Sequence, residues 1–284
     1  GSQGGRHALA RIGEPLGDPV WVRSNRRMLL TPQALAPGLW QSGRCVGRPP
    51  QLQQVHRGHA RAASVLVTRR GKDMKIAFLG AGNVGGALAV ALAQAGHDVT
   101  LAQSRDSSAS VTAALARSPH LAARPALEAV AGADVVFLAT PFAANAAVLA
   151  PLAEPLAGKI LVDCTNPVGP GLTHGLHSER SGSELVQALV PKARVVKAFS
   201  IYGFENFANP AYPGYGVQPA MLFCGDDPAA KTQVGQLIGD CGFEPVDVGG
   251  LVQALHLEHM TLLWVRMVRV HGQSPNLVWG ALRR

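Results

Sequence analysis

Charged side chains are scarce in this chain, 15% of its 284 residues, and aromatic ones are scarcer at 5%. The first shortage excludes a charge-rich disordered polymer, and the second leaves few rings for stacking on exposed nucleobases. Cysteine is sparse too. Cys45, Cys164, Cys224 and Cys241 lie far apart, with no CxxC pair and no metal-ligand spacing. That pattern argues against a disulfide scaffold and makes a reducing, cytoplasmic compartment the default expectation. No apolar run reaches the ~20 residues that span a bilayer. The richest, residues 76–95, is broken by glycines, so neither a membrane partner nor a metal ion is expected.

What the chain does have is apolar bulk and a lopsided charge. Hydrophobic residues make up 47%, enough at this length for one large domain or two modest ones around a sizeable core. The net charge of +8 is of the kind that nucleic-acid binding produces, but it is concentrated. Residues 1–73 hold 12 Lys and Arg against 3 Asp and Glu, whereas residues 74–284 hold 14 against 15. The basicity belongs to the leader, and no nucleic-acid partner is expected for the remainder. The leader mixes Gly, Pro, Gln and Arg without a helical or strand period, and reads as a disordered upstream extension, a transit peptide being the alternative.

At Met74 the pattern changes to apolar strands alternating with Ala- and Leu-rich helices, the signature of an α/β domain. The spacing predicts strands at 75–79, 98–102, 134–139, 159–163, 194–198, 220–224 and 244–247. Helices are predicted at 83–95, 107–117, 141–156, 183–190, 228–241 and 251–270. Residues 135–139 are apolar at every position, which implies burial on both faces of a parallel sheet. Residues 74–284 are thus expected to form a Rossmann-type doubly wound sheet with a small C-terminal α/β-helical extension. Thr140-Pro141 and Asp227-Pro228 read as N-caps followed by a proline, and Ser181 with Glu184 as a capping box. The last helix carries Leu, Val, Met and Trp264, a stripe that suits either a homodimer contact or packing within one subunit.

The sharpest local signal is Gly80-Ala81-Gly82-Asn83-Val84-Gly85, directly after the first strand and opening an alanine-rich helix. A bare GxGxxG string is weak, but in a strand-turn-helix it has a mechanism. Gly80 permits the tight turn, Gly82 lets the backbone approach a pyrophosphate, and Gly85 lets helix and strand pack closely. The helix N-terminus then offers free N–H groups to the anion. After the second strand, where NAD enzymes place an acid on the ribose 2′-OH, the chain reads Gln103-Ser104-Arg105. A hydroxyl and a guanidinium can instead donate to a 2′-phosphate, so Ser104 and Arg105 favour NADP(H).

Thr140-Pro141 and Asn166-Pro167 lie at the carboxyl ends of strands, where open α/β sheets bind ligands, and could wall the nicotinamide ribose and ring. As dipeptides they suit cap and turn roles equally. Lys197-Ala198-Phe199 occupies a similar edge, with Phe199 also readable as core. His256 and His259 flank Glu258 without HExxH spacing, and read as one turn of exposed polar residues. Cys164 reads as an ordinary buried thiol, and His174 and His177 as part of a Gly/Pro-rich loop. No catalytic Lys, His or Asp is evident, which argues for a redox ring over a ketone or imine as hydride acceptor, with Tyr202 the remaining candidate acid. Phe142, Leu172, Phe199 and Tyr202 are the expected lining of a slot for that ring.

In this order, these residues resemble the coenzyme F420-dependent NADP oxidoreductase family and the related NADPH-binding domains of metalloreductases. The likeness runs through residues 76–85, Ser104-Arg105, the Thr140-Pro141 turn, residues 162–167, 181–184, 195–199 and 224–228, and the terminal helix after Gly249-Gly250-Leu251. The resemblance implies that Ala81, Gly82, Asn83, Val84, Ser104 and Arg105 hold NADP(H), and that Thr140, Asn166 and Ala198 approach the nicotinamide. It also implies a small-molecule redox cofactor, a deazaflavin (F420) or a flavin, as second substrate. Deazaflavin-using members carry a Trp and a His where this chain has Phe142 and Ala144. The expected function is hydride transfer between NADP(H) and a flavin-like or F420-type acceptor. The alternatives are an NADPH-dependent reductase of a small imine or hydroxyacid, and a non-catalytic NADPH-binding sensor.

Overall fold

The computed structural model describes residues 73–103 and 108–284. The leader, apart from Asp73, lies outside the described residues, as do Ser104 and Arg105. Strands and helices then alternate: β1 (Lys75–Leu79), α1 (Asn83–Gln94), β2 (Asp98–Gln103), α2 (Ala109–Leu115), β3 (Leu121–Pro125), α3 (Ala126–Gly132), β4 (Val135–Leu138), α4 (Asn145–Leu149) and β5 (Ile160–Asp163). A short hairpin of β6 (Val168–Gly169) and β7 (Thr173–His174) precedes α5 (Gly182–Leu189) and β8 (Arg194–Lys197). There follow α6 (Glu205–Ala208), β9 (Ala220–Gly225), α7 (Pro228–Asp240), β10 (Glu244–Asp247) and α8 (Ala254–Val265).

Eight of these strands form one sheet in the order β10-β9-β8-β5-β4-β1-β2-β3. Its pairings are parallel except that of β8 with β9. Ile76 of β1 pairs with Val99 on one side and Val135 on the other. The chain lays β2 and β3 to one side of β1 and then crosses to place β4 on the other. This reversal is the point at which open α/β sheets take ligands, outside the carboxyl ends of the strands.

Alternation along the strands sorts the core into two layers. Phe78, Phe137, Val162 and Val196 face the side covered by α1, α6, α7 and α8, where Leu88, Phe207, Leu237 and Leu257 meet them. The rings of Phe78 and Phe137 stack with centroids 4.6 Å apart. Leu79, Val136, Leu138 and Leu161 face the opposite side, against Val130, Leu149 and Val186 of α3, α4 and α5. Each such side chain contributes roughly 1.5–3 kcal/mol when fully buried, so the all-apolar central strands require helices on both faces.

Several local features depart from the sequence expectation. β3 and α3 occupy residues read as a connection, because Leu121–Pro125 carries Arg124 and Pro125 and buries only Leu121. It is the outermost strand, where a missing N–H costs no ladder bond. Residues 141–156 are not one helix but two 3-10 turns, Phe142–Ala144 and Ala150–Leu152, around α4. Pro151 cannot donate to a helical ladder, and its ring crowds the carbonyl four residues back. The last helix begins with a 3-10 turn, Leu251–Gln253, and ends in a wide turn, Arg266–Val270.

The caps divide. Asp227 accepts from the Ala230 amide at 2.6 Å, and Ser181 with Glu184 forms the full capping box on α5. Thr140 caps nothing; its hydroxyl is turned to Asn145 instead. Trp264 of α8 is buried and donates to Leu277 O at 2.7 Å, whereas Leu263 is exposed. Among the described residues no helix is long and apolar enough to cross a membrane.

Candidate functional site

At the switch point the turn from β1 into α1 lies against the turn after β4. Gly80 has a φ of +100°, and a Cβ built there would come within 2.7 Å of Ala139 O. Gly85 is tighter, since its Cβ would meet Gly80 O at 2.0 Å. Gly82 is different: nothing lies within 4 Å of its Cβ position, and it is exposed. The protein's own backbone therefore demands glycine at 80 and 85, while Gly82 keeps open a cradle that a side chain would fill. Gly82 is the N-cap of α1, no side chain caps that helix, and no acidic residue sits in its first turn. The uncapped amides of the first turn, from Asn83 and Val84 onward, and the positive end of the helix dipole form a donor set that fits a phosphate. Ala81 between them is buried.

The next turn is held by side chains. Thr140 donates to Asn145 Oδ1 at 2.8 Å, Asn145 Nδ2 donates to Thr165 Oγ1 at 3.0 Å, and Thr165 donates to Asp163 Oδ1 at 2.7 Å. Thr140 stands beside the glycine turn, its amide nitrogen 3.0 Å from the Gly80 Cβ position, and Pro141 is exposed. Asn166 lies further along the same edge, donating to Ser200 O at 3.3 Å and accepting from Thr261 Oγ1 of α8 at 3.1 Å. Ala198 is fully buried, and its amide donates to Asp163 O at 3.2 Å. Gly80, Gly85 and Thr140 are thus brought together, with Asn166 and Ala198 on the neighbouring strand ends.

Beneath that edge lies a charged cluster that the sequence does not announce. Lys197, at the end of β8, is fully buried, with Nζ 3.3 Å from Asp163 Oδ2 and 3.2 Å from Glu258 Oε1, and it also donates to Thr165 O. Burial alone would lower the Lys197 pKa, but the facing carboxylates of Asp163 and Glu258 outweigh it and hold the ammonium above its ordinary range. Glu258 is buried, correcting its reading as part of an exposed helix turn. It also accepts from the Gly182 amide at 2.9 Å and from His174 Nε2 at 2.8 Å. The amides of Leu176 and Ser178 both donate to His174 Nδ1, which leaves the ring neutral with its proton on Nε2. His174 is accordingly a buried strut of the β6–β7 hairpin. A lysine and an acid ending two apolar strands were the available signal, because such residues go inside only when paired.

Other expectations are corrected by packing. Tyr202 is buried against Phe207 and Phe243 and donates to Ala220 O at 3.0 Å, and burial pushes its pKa up, so it cannot serve as an acid. Phe199 is likewise core, leaving only Phe142 and Leu172 of the four supposed slot residues partly exposed. Cys164 is a buried thiol, as its sequence position suggested, and burial followed by the Asp163 charge raises its pKa well above the ordinary thiol value.

Comparison with known proteins agrees with this fold. Residues 75–167 match the family described as NADP oxidoreductase, coenzyme F420-dependent. The chain is similar to the F420-dependent NADP reductase of Methanothermobacter marburgensis, 30% identical over 213 residues, which cover 68% of this chain and 92% of that protein. It is also similar to the metalloreductase STEAP3 of Rattus norvegicus, 33% identical over 189 residues, 66% of this chain but only 36% of that protein's length. Among solved structures, a candidate F420-dependent NADP-reductase from Arthrobacter sp. FB24 superposes with a TM-score of 0.66 at 32% identity, over 74% of this chain and 100% of that one.

Proposed function

This chain belongs to the coenzyme F420-dependent NADP oxidoreductase family, and we propose that it transfers a hydride between NADP(H) and a flavin-like or deazaflavin ring. One observation carries the proposal: Gly80 and Gly85 serve close backbone packing, whereas Gly82 leaves an open cradle at an uncapped helix N-terminus. Ala81, Gly82, Asn83 and Val84 would surround the pyrophosphate with backbone donors. Ser104 and Arg105 would take the 2′-phosphate, and Thr140, Pro141, Asn166 and Ala198 would border the nicotinamide end.

When bound, the dinucleotide supplies a hydride at C4 of its ring. The chain's own task is to orient and to exclude water. Thr140 and Asn166 suit that task because both are held by hydrogen bonds to other elements. Proton donation is a poor fit. The Lys197 ammonium is committed to Asp163, Glu258 and a carbonyl, and the Tyr202 hydroxyl to Ala220 O. A ring acceptor asks for proximity and alignment more than for an acid, which favours it over an imine or ketone.

Calorimetric titration with NADPH and NADH, followed by rapid mixing of the NADPH complex with F420 and a series of flavins, tests the proposal. Tighter binding of NADPH and bleaching of its absorbance by one of these rings is expected. A correctly folded chain with affinity for neither dinucleotide would overturn it.

A further inference from the structure

The hydrogen bonds between Asp163 and Thr140 run in one direction. The Asp163 carboxylate is fully buried and receives Ser183 Oγ at 2.6 Å, Lys197 Nζ at 3.3 Å and the Thr165 amide at 2.9 Å, so it acts only as an acceptor. Thr165 Oγ1, 2.7 Å away, must therefore be the donor. With its proton spent there, Thr165 Oγ1 can only accept from its other neighbour. That requirement turns Asn145 Nδ2 toward it at 3.0 Å and leaves Asn145 Oδ1 facing Thr140. An amide orientation that is ordinarily ambiguous is thus settled by the buried carboxylate at the end of the chain. Asn145 is itself buried, and the Thr140 hydroxyl must send its proton inward, at 2.8 Å.

We propose that this relay makes Thr140 an obligate acceptor toward the cleft. Its proton is held by Asn145, so only lone pairs remain for a ligand, and they suit a donor on the nicotinamide riboside half of the cofactor, either the carboxamide N–H or a ribose hydroxyl. Thr165 and Asn145 are positioning residues: they act through Thr140, which is partly exposed beside the glycine turn. The relay fixes in advance a hydroxyl that would otherwise rotate, the kind of preorganisation that strengthens a polar contact without adding a new one. This role rests on the NADP(H) function proposed above and adds the polarity of the contact and the residues that set it.

The test is a double-mutant cycle on the full chain, reading NADPH affinity by calorimetry and the thermal midpoint in parallel. Thr165→Val removes the hydroxyl but keeps the side-chain shape and the backbone bonds to Asp163 and Lys197. It is expected to weaken NADPH roughly threefold to tenfold, the scale of one hydrogen bond. Thr165→Ser should restore binding, and Thr165→Val should cost nothing further in a Thr140→Val background, as for residues acting through one group. The acetylpyridine analogue of NADP+, which lacks the carboxamide nitrogen, separates the two donors. Insensitivity of the analogue to Thr140→Val identifies the carboxamide, and equal losses for analogue and NADP+ identify the ribose. Additive losses in the cycle, or a lowered thermal midpoint with unchanged NADPH affinity, would overturn the relay while leaving the NADP(H) function intact. Absence of NADPH binding by the unmutated chain would sink both. Should Thr165→Val not fold, Asn145→Ala run through the same cycle with Thr140→Val gives the same discrimination.

Discussion

Lys197 and Glu258 meet at 3.2 Å with neither side chain exposed, although one ends a central strand and the other lies on the last helix. With Asp163 on the other side of the ammonium, this contact fastens α8 to the carboxyl edge of the sheet. The same glutamate takes the Gly182 amide at the start of α5 and His174 of the hairpin. α8 is therefore held against the sheet edge by charge as well as by apolar packing. This contact and three other features of the chain lead to predictions open to measurement.

Removing the cation should cost more than removing one anion. Lys197→Met leaves Asp163 and Glu258 buried together without a counter-charge, and should lower the unfolding free energy by about 3–5 kcal/mol. Glu258→Gln keeps Lys197 paired with Asp163 but turns an amide N–H2 toward one of two donors, Lys197 or His174 Nε2, and should lose about 1–3 kcal/mol. Urea unfolding of the two variants compares them, and equal losses would contradict the pairing described.

Two glycines of the turn, Gly85 and Gly82, should separate stability from binding. Gly85→Ala drives a Cβ to 2.0 Å from Gly80 O and should cost more than about 4 kcal/mol or prevent folding. Gly82→Ala meets nothing within 4 Å and should stay within about 0.5 kcal/mol of the parent. Its NADPH affinity should nevertheless fall by at least about 1.4 kcal/mol, a factor of ten. Thermal melts with and without NADPH read both effects.

Arg105→Ala should weaken NADPH by about 1–3 kcal/mol through lost charge-assisted contacts and leave NADH nearly unchanged. Calorimetry with each dinucleotide checks this, and equal losses would remove the 2′-phosphate from the guanidinium.

Alkaline pH should destabilise the fold from a predictable onset. Burial raises the pKa of Cys164 and Cys241, and pushes Cys224 from 9.0 up to about 12. Tyr202 is raised by burial from 10.0, and Lys197 by its two carboxylates from 10.5. A group whose folded pKa is raised lends stability that is complete below its unfolded pKa and lost as pH climbs through the folded value. Stability should therefore hold to about pH 9 and decline steadily above it. Chemical denaturation across this range checks the onset, and Cys224→Ala should soften the first part of the slope.

Much of the architecture was legible along the chain because strands and helices carry their own periods. The strand at 135–138 is apolar at every position and buried on both faces, and the turn at Gly80 is specific enough to assign a role to each glycine. β3 escaped notice because an edge strand needs no apolar alternation, and its Arg124 and Pro125 look like a loop. Thr140 was misread as a cap, since a threonine before a proline suits that role and only the position of Asn145 shows where its hydroxyl turns.

The doubly wound sheet and the glycine turn at its switch point could be read along the chain, because each depends on residues close together in it. That Lys197 meets Asp163, 34 positions away, and Glu258, 61 away, and that His174 meets Glu258 across 84, emerges from the packed fold. Those pairings repeat with no period. They follow from strand order and from which face of α8 turns inward, and a buried ammonium leaves its carboxylates no other place to be.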